Sequence, residues 1–282
     1  MRVKDFDLSE TLECGQCFNF EKIDENEYIV VAFGKMLHAR QRGDELFLGN
    51  ASDEDIKNIW IPYFDLERDY GRIKAQIIKA DGRLEDIINS CGGIHILNQD
   101  FTETLISFII SQNKNITHIK QLIRRLSKEY GGYIGSFNGK DFFSFPSPSA
   151  LDTITEEGFR ALKTGFRAPY LRDAVNRLAC GEINEDELRA LPYEQAKEKL
   201  KTIKGVGDKV ADCVLLFSLG FRNAFPVDVW MKRIIAEMYG ADAAYAAQLF
   251  DEYGGYAQQY LFMYARSRQA ADSRRGESTI NN

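Results

Sequence analysis

Residues 202–230 read TIKGVGDKVADCVLLFSLGFRNAFPVDVW, and a lysine, a cysteine and an aspartate stand there with chemistry open to them. Lys209 follows the turn Gly205-Val206-Gly207 and falls in the first turn of a segment with helical spacing. The positive end of a helix dipole disfavours an ammonium, which is the condition an amine nucleophile needs. Two other roles are open to the same lysine, a point charge on a phosphate or a pair with Asp212 three residues on. Cys213, four residues after Lys209, shares its helix face and can line the same pocket, while Val210, Val214 and Phe217 form an apolar stripe suited to a core. Asp228 follows a proline and precedes the helical run VWMKRII, where a carboxylate caps the helix. A capping carboxylate is also ionised and rigid, so it can stabilise positive charge developing at a sugar carbon.

The elements that hold these groups are a helix, a Gly-Val-Gly turn and a second helix, in LKTIKGVGDKVADCVLL. Glycine permits positive φ and close approach of another backbone, and the N–H groups that open the second helix suit a phosphate. Such a hairpin grips a nucleic-acid backbone without reading its sequence. A plain αα turn is the alternative. A net charge of −6 does not exclude nucleic acid, because local patches contact phosphates. KNITHIKQLIRRLSKEY offers one, with Lys114, Lys120, Arg124, Arg125 and Lys128, although a solvated helix face explains most of these charges equally well.

The wider composition, 44% hydrophobic and 28% charged over 282 residues, is that of a globular protein with a proper core. No apolar run reaches membrane-spanning length and MRVKDFDLSE lacks a signal-peptide core, so a cytoplasmic protein is expected. Cysteines 14, 17, 91, 180 and 213 are an odd, scattered set, which argues against a disulfide framework. Cys14 and Cys17 have no second pair to complete a zinc site, and no four-cysteine cluster supports an iron–sulfur centre. No metal site built from side chains is expected.

The spacing predicts an α+β chain: a small antiparallel sheet domain over residues 1–95 and a mostly helical body over 96–282, with the helix–hairpin–helix at about 195–220. EYIVVAF, MLHARQ and ELFL read as strands punctuated by Gly34-Lys35 and Gly43-Asp44. After CGGIHIL, seven segments carry apolar residues at helical spacing: TETLISFIISQ, ITHIKQLIRRLSKEYG, APYLRDAVNRLACG, PYEQAKEKLKTI, KVADCVLLFSLG, VWMKRIIAEMYG and GGYAQQYLFMYARSR. GKDFFSFPSPSALDTI reads as a connection between helices, and the tail SRRGESTINN as disordered.

GVGDKVADC followed by PVDVW resembles the bifunctional 8-oxoguanine DNA glycosylases of the helix–hairpin–helix superfamily. TLECGQCFNF, GGIHILNQDFTETLISFIISQNKNI, TGFRAPYL and GGYAQQYLFMYA agree in the same order, so the resemblance spans about residues 8–266. It implies a monomer that binds double-stranded DNA containing 8-oxoguanine and flips the damaged base into a pocket. Lys209 is then implied to attack C1′ and form a Schiff base from which β-elimination nicks the strand, and Asp228 to stabilise the cationic sugar. Phe262 and Cys213 sandwich the base, Gln258 bonds its pairing edge, and the Gly15 carbonyl accepts the N7–H that guanine lacks.

Asn113 matches the residue that fills the gap left in the duplex. His118 stands where an arginine reads the orphaned cytosine, and Lys114 replaces an asparagine beside it. Arg167 keeps the second such arginine, Phe166 replaces a tyrosine and can still wedge between bases, and Trp230 replaces a phosphate-touching histidine. The hairpin, Gly205, Val206 and Gly207, binds backbone, and its carbonyls can hold a monovalent cation. An alkylated-base glycosylase shares the plan but lacks the lysine, and a non-catalytic DNA-binding module needs no Asp228, Gln258 and Phe262 in register.

Overall fold

The computed structural model describes residues 1–240 and 243–280, the last twelve of these, 269–280, by main chain alone. Strands β1 (Phe20–Asp24), β2 (Glu27–Ala32), β3 (Lys35–Arg42) and β4 (Glu45–Gly49) form an antiparallel meander in that order. Val30 faces Leu37 across one ladder and Ala39 faces Leu48 across the next. One sheet face, with Tyr28, Val30, Leu37 and Leu46, packs on Leu8 and Leu12 of the first helix (Leu8–Glu13) and on Trp60 and Phe64. β1 was not among the strands read from sequence, because FEKID is charged at alternate and adjacent positions and shows no apolar run.

The second sheet face is covered as well. Ile29 and Val31 are buried under Phe142, which belongs to a hairpin of β5 (Tyr133–Phe137) and β6 (Lys140–Phe143) contributed from the helical half. That cover is why β2 is a continuous apolar run rather than an alternating one. The hairpin corrects the reading of GKDFFSFPSPSALDTI as a connection alone. Asn138 and Gly139 take positive φ of 49° and 74°, the turn chemistry that an Asn-Gly pair supplies.

Helices Phe101–Ser111, Ile116–Tyr130, Ala168–Ala179, Tyr193–Lys201, Asp208–Phe217, Val229–Tyr239 and Gly254–Ile280 answer to the seven periodic segments. The tail read as disordered continues the last helix through Ile280, while Asn281 and Asn282 lie outside the described residues. Phe101–Ser111 is apolar nearly all round and buried along most of its length, as a central helix must be. Helices Tyr70–Ala80 and Glu85–Cys91 give Ile73, Ile77, Ile87 and Ile88 to the same core. No described helix is long and apolar enough to cross a membrane.

The segment that carries Gly15 is pinned to the helical half by its neighbour. Gln16 is fully buried; its Nε2 donates to the carbonyls of Thr11 (2.9 Å) and His95 (2.7 Å), and its Oε1 accepts from the Leu97 N–H (2.9 Å). His95 stacks on Tyr70 with ring centres 3.6 Å apart, and burial pushes its imidazole down to about 4.

Candidate active site

The hairpin is shaped by Gly205. It has φ +78°, and a Cβ there would come within 2.3 Å of the Tyr170 ring, so both the conformation and the packing demand glycine. Val206 is buried beneath the turn, whereas Gly205 and Gly207 stay exposed. Gly207 is extended and gives the lysine helix, Asp208–Phe217, no side-chain cap. A phosphate can therefore approach the opening N–H groups.

Asp212 does not pair with Lys209. It is buried, accepting from the Tyr193 hydroxyl at 2.7 Å and from Lys197 Nζ at 2.9 Å. Among the described residues Lys209 makes no salt bridge, and its Nζ lies 4.8 Å from the centre of the Phe108 ring. The amine is thus left to a cleft rather than neutralised by a carboxylate. Phe108 in turn stacks on Phe217, centres 5.6 Å apart, which fixes the floor under Lys209.

Six residues singled out from the sequence line one cleft: Gly15, Lys209, Cys213, Asp228, Gln258 and Phe262. It encloses about 320 Å³, open solvent at its mouth included. Phe108, Phe217, Pro226 and Gln259 complete the lining; sequence reasoning missed all four as pocket residues. Burial pushes the Cys213 thiol up to about 11, against the pull of the neighbouring Lys209. A thiol held neutral in this way is a soft, flat wall and a poor nucleophile. Asp228 Oδ1 accepts from the N–H groups of Trp230 and Met231, both at 2.9 Å. The cap uses that one oxygen and leaves the other oxygen of this cleft-lining carboxylate outside it.

Gln258 and Phe262 stand one turn apart on the helix Gly254–Ile280. Opposite them Gly15 has φ +90°, and a Cβ added to it would lie 3.5 Å from Phe262, 3.6 Å from Ile116 and 3.7 Å from Arg266. Arg266 Nη1 donates to the Glu13 carbonyl at 3.1 Å and its guanidinium sits 5.7 Å from the Phe262 ring centre, which ties the last helix to the Gly15 segment. Neither Gln16 nor Arg266 was singled out from the sequence. Gln16 could have been found as a polar residue between the two cysteines of CGQC.

A second group lies outside the cleft lining. Asn113 is exposed with φ 52°, and Lys114 Nζ approaches His118 Nδ1 at 3.2 Å. Phe166 is half exposed with the Arg167 guanidinium 4.2 Å from its ring centre. Arg167 itself is buried: Nη1 donates to the Thr164 carbonyl at 3.1 Å, Nη2 to the Gln112 carbonyl, and Nε has no partner. Gln112 Nε2 then donates to the Gly205 carbonyl at 3.1 Å, linking this group to the hairpin. Trp230 is half-buried and carries the Arg233 guanidinium 4.8 Å from its ring centre, a cation the sequence reading did not connect with it.

The family description "8-oxoguanine DNA glycosylase, N-terminal domain" matches residues 1–105, and "HhH-GPD superfamily base excision DNA repair protein" matches residues 106–253. The N-glycosylase/DNA lyase of Saccharomyces cerevisiae is 31% identical over 261 residues, covering 84% of this chain and 69% of the yeast protein. The chain belongs to the bifunctional 8-oxoguanine DNA glycosylase/lyase family. Another relative, N-glycosylase/DNA lyase OGG1 of Arabidopsis thaliana, is 29% identical, covering 90% of this chain and 75% of that protein. The crystal structure of the Clostridium acetobutylicum 8-oxoguanine glycosylase/lyase, in complex with double-stranded DNA containing cytosine opposite 8-oxoguanine, superposes with a TM-score of 0.91. It is 38% identical and covers 95% of this chain and 94% of that one. In this chain the Lys209 amine, the Asp228 carboxylate, the Cys213 thiol and the Phe262 ring line the same cleft.

Proposed function

We propose that this protein removes 8-oxoguanine from duplex DNA and nicks the strand, with Lys209 as nucleophile. The observation that carries this reading is the single cleft shared by Gly15, Lys209, Cys213, Asp228, Gln258 and Phe262. The amine of Lys209 bonds to C1′ as the glycosidic bond breaks; the base leaves with the bonding pair and takes up a proton. Ring opening of the sugar gives a protonated Schiff base, and loss of a C2′ proton expels the 3′ phosphate by β-elimination. Asp228 faces the positive charge that develops on the sugar, and a preorganised carboxylate meets it without reorganisation. Cys213 and Phe262 hold the ring between them and Gln258 bonds its pairing edge. Gly15 offers a carbonyl to N7–H; guanine would present a lone pair there, and two lone pairs repel.

The hairpin of Gly205, Val206 and Gly207 grips phosphate while Asn113 fills the vacated stack and Phe166 wedges beside it. A monovalent cation at the hairpin would be held by main-chain carbonyls; Gly205 O already accepts from Gln112, and a carbonyl retains a second lone pair for a cation. The reaction runs in the compartment that holds the DNA, the cytoplasm in a cell without a nucleus. Borohydride trapping on a duplex with one 8-oxoguanine tests the reading. Wild type is expected to give a covalent protein–DNA adduct, and its absence overturns the proposal.

A further inference from the structure

We infer that Gln259 is a second specificity-determining residue of the base pocket, accepting a hydrogen bond from the exocyclic amine of a guanine-type ring. The inference rests on the reading of the cleft as the pocket for the flipped base. Gln259 lines that cleft and is only 4% exposed. Its Nε2 donates to Gln258 Oε1 at 3.2 Å, yet its own Oε1 is buried with no partner. Buried amide oxygens are nearly always paired, because an unpaired one loses its water and gains nothing. A ring entering the cleft is the group available to pair with it.

The two amides also constrain each other. Gln259 occupies one lone pair of Gln258 Oε1, which fixes the way the Gln258 carboxamide is turned. A ring in the pocket would meet the remaining lone pair on Gln258 Oε1, the Gln258 amide donor and, once the Gln259 carboxamide turns toward it, the unpartnered oxygen of Gln259. Two acceptors beside one donor complement the pairing edge of guanine, which has N1–H and a 2-amino donor beside the O6 acceptor. Adenine offers a ring acceptor and one amine, so its N1 lone pair would meet an oxygen. Of the guanine donors, the 2-amino group is the one the additional oxygen is there to meet.

The test compares excision of 8-oxoguanine with that of 8-oxohypoxanthine, the same ring without the 2-amino group, each opposite cytosine under single turnover. Wild type is expected to favour 8-oxoguanine about tenfold or more, the cost of leaving one buried acceptor unpaired. Gln259→Met keeps the volume without the acceptor and should reduce that ratio to near unity. Because each ratio is taken within one variant, a general loss of folding or rate cancels. Competition binding of the two duplexes in a Lys209→Gln background supplies the same ratio where turnover is lost. Equal treatment of both bases by wild type, or an unchanged ratio in Gln259→Met, overturns the inference. A wild type inactive on 8-oxoguanine would overturn the proposed function instead.

Discussion

In the base cleft the side chains stand on packed helices, with Phe108 under Lys209, Cys213 buried and Gln258 buried. In the opposite-base group Asn113 and Phe166 are exposed, and its arginine is turned inward onto carbonyls. A reacting centre needs positions fixed to fractions of an ångström, which close packing supplies. A reader of the opposite base needs free donors, and burial removes them. Arg167 bonded to Thr164 and Gln112 has two of its donors already satisfied, so reading cytosine requires those bonds to be exchanged. On the proposed reading, the contrast separates fixed chemistry from adaptable discrimination.

The strongest way to break this contrast is at Lys209. Lys209→Gln should bind lesion DNA near normally but lose excision and the borohydride-trapped adduct; trapping at wild-type yield would assign the chemistry to another amine. Asp228→Asn comes next. Asparagine caps a helix about as well as aspartate, so melting temperature and DNA affinity should stay close to wild type. Excision should slow by roughly 10²-fold, the scale of losing one preorganised electrostatic group. A rate within a few-fold of wild type would leave Asp228 a cap only.

At the opposite base the effects should be smaller. The histidine at 118 has fewer donors than the fork of an arginine, so excision opposite C, A, G and T should differ by less than about 100-fold, and His118→Arg should steepen the preference by about tenfold. A steep cytosine preference in wild type would mean that Arg167 is released on binding and suffices.

The smallest effect concerns the joint that holds Gly15. His95 titrates near 4 when folded and 6.5 in its ordinary state, so between those values the unfolded chain binds the extra proton. Its contribution to stability is complete above pH 6.5 and is lost as the pH falls through this window toward 4. Melting temperature should drop by about 2–4 °C per kcal/mol lost, and His95→Gln should flatten that slope.

Lys209, Cys213 and Asp228 were legible from local logic: a lysine after a glycine turn, a cysteine one turn on along the same face, and an aspartate before a helix. Gly15, Gln258 and Phe262 came only through the resemblance, since a turn glycine and two residues one helical turn apart carry no such signal alone. Phe108, Gln259 and Arg266 were not legible, because their roles depend on which helices meet, and an aromatic or glutamine at helical spacing looks the same in a core as in a pocket. The fold divides in the same manner. The seven amphipathic or apolar helices declare their period. β1 hides among charged residues, and the β5–β6 hairpin lies at the start of a stretch whose prolines and serines read as a connection. Asp212 was paired with Lys209 as one option, since only tertiary structure brings Tyr193 and Lys197 to it.

Gln112 touches the hairpin through its side chain and Arg167 through its carbonyl. One residue therefore joins the hairpin to the group that holds Arg167 and Phe166. Any shift of the hairpin that strains one of these bonds is transmitted to the other. Substitutions at Gly205 and Arg167 should then interact rather than add, despite lying in separate segments. The hairpin and Arg167 are mechanically one lever, with its fulcrum at a single glutamine.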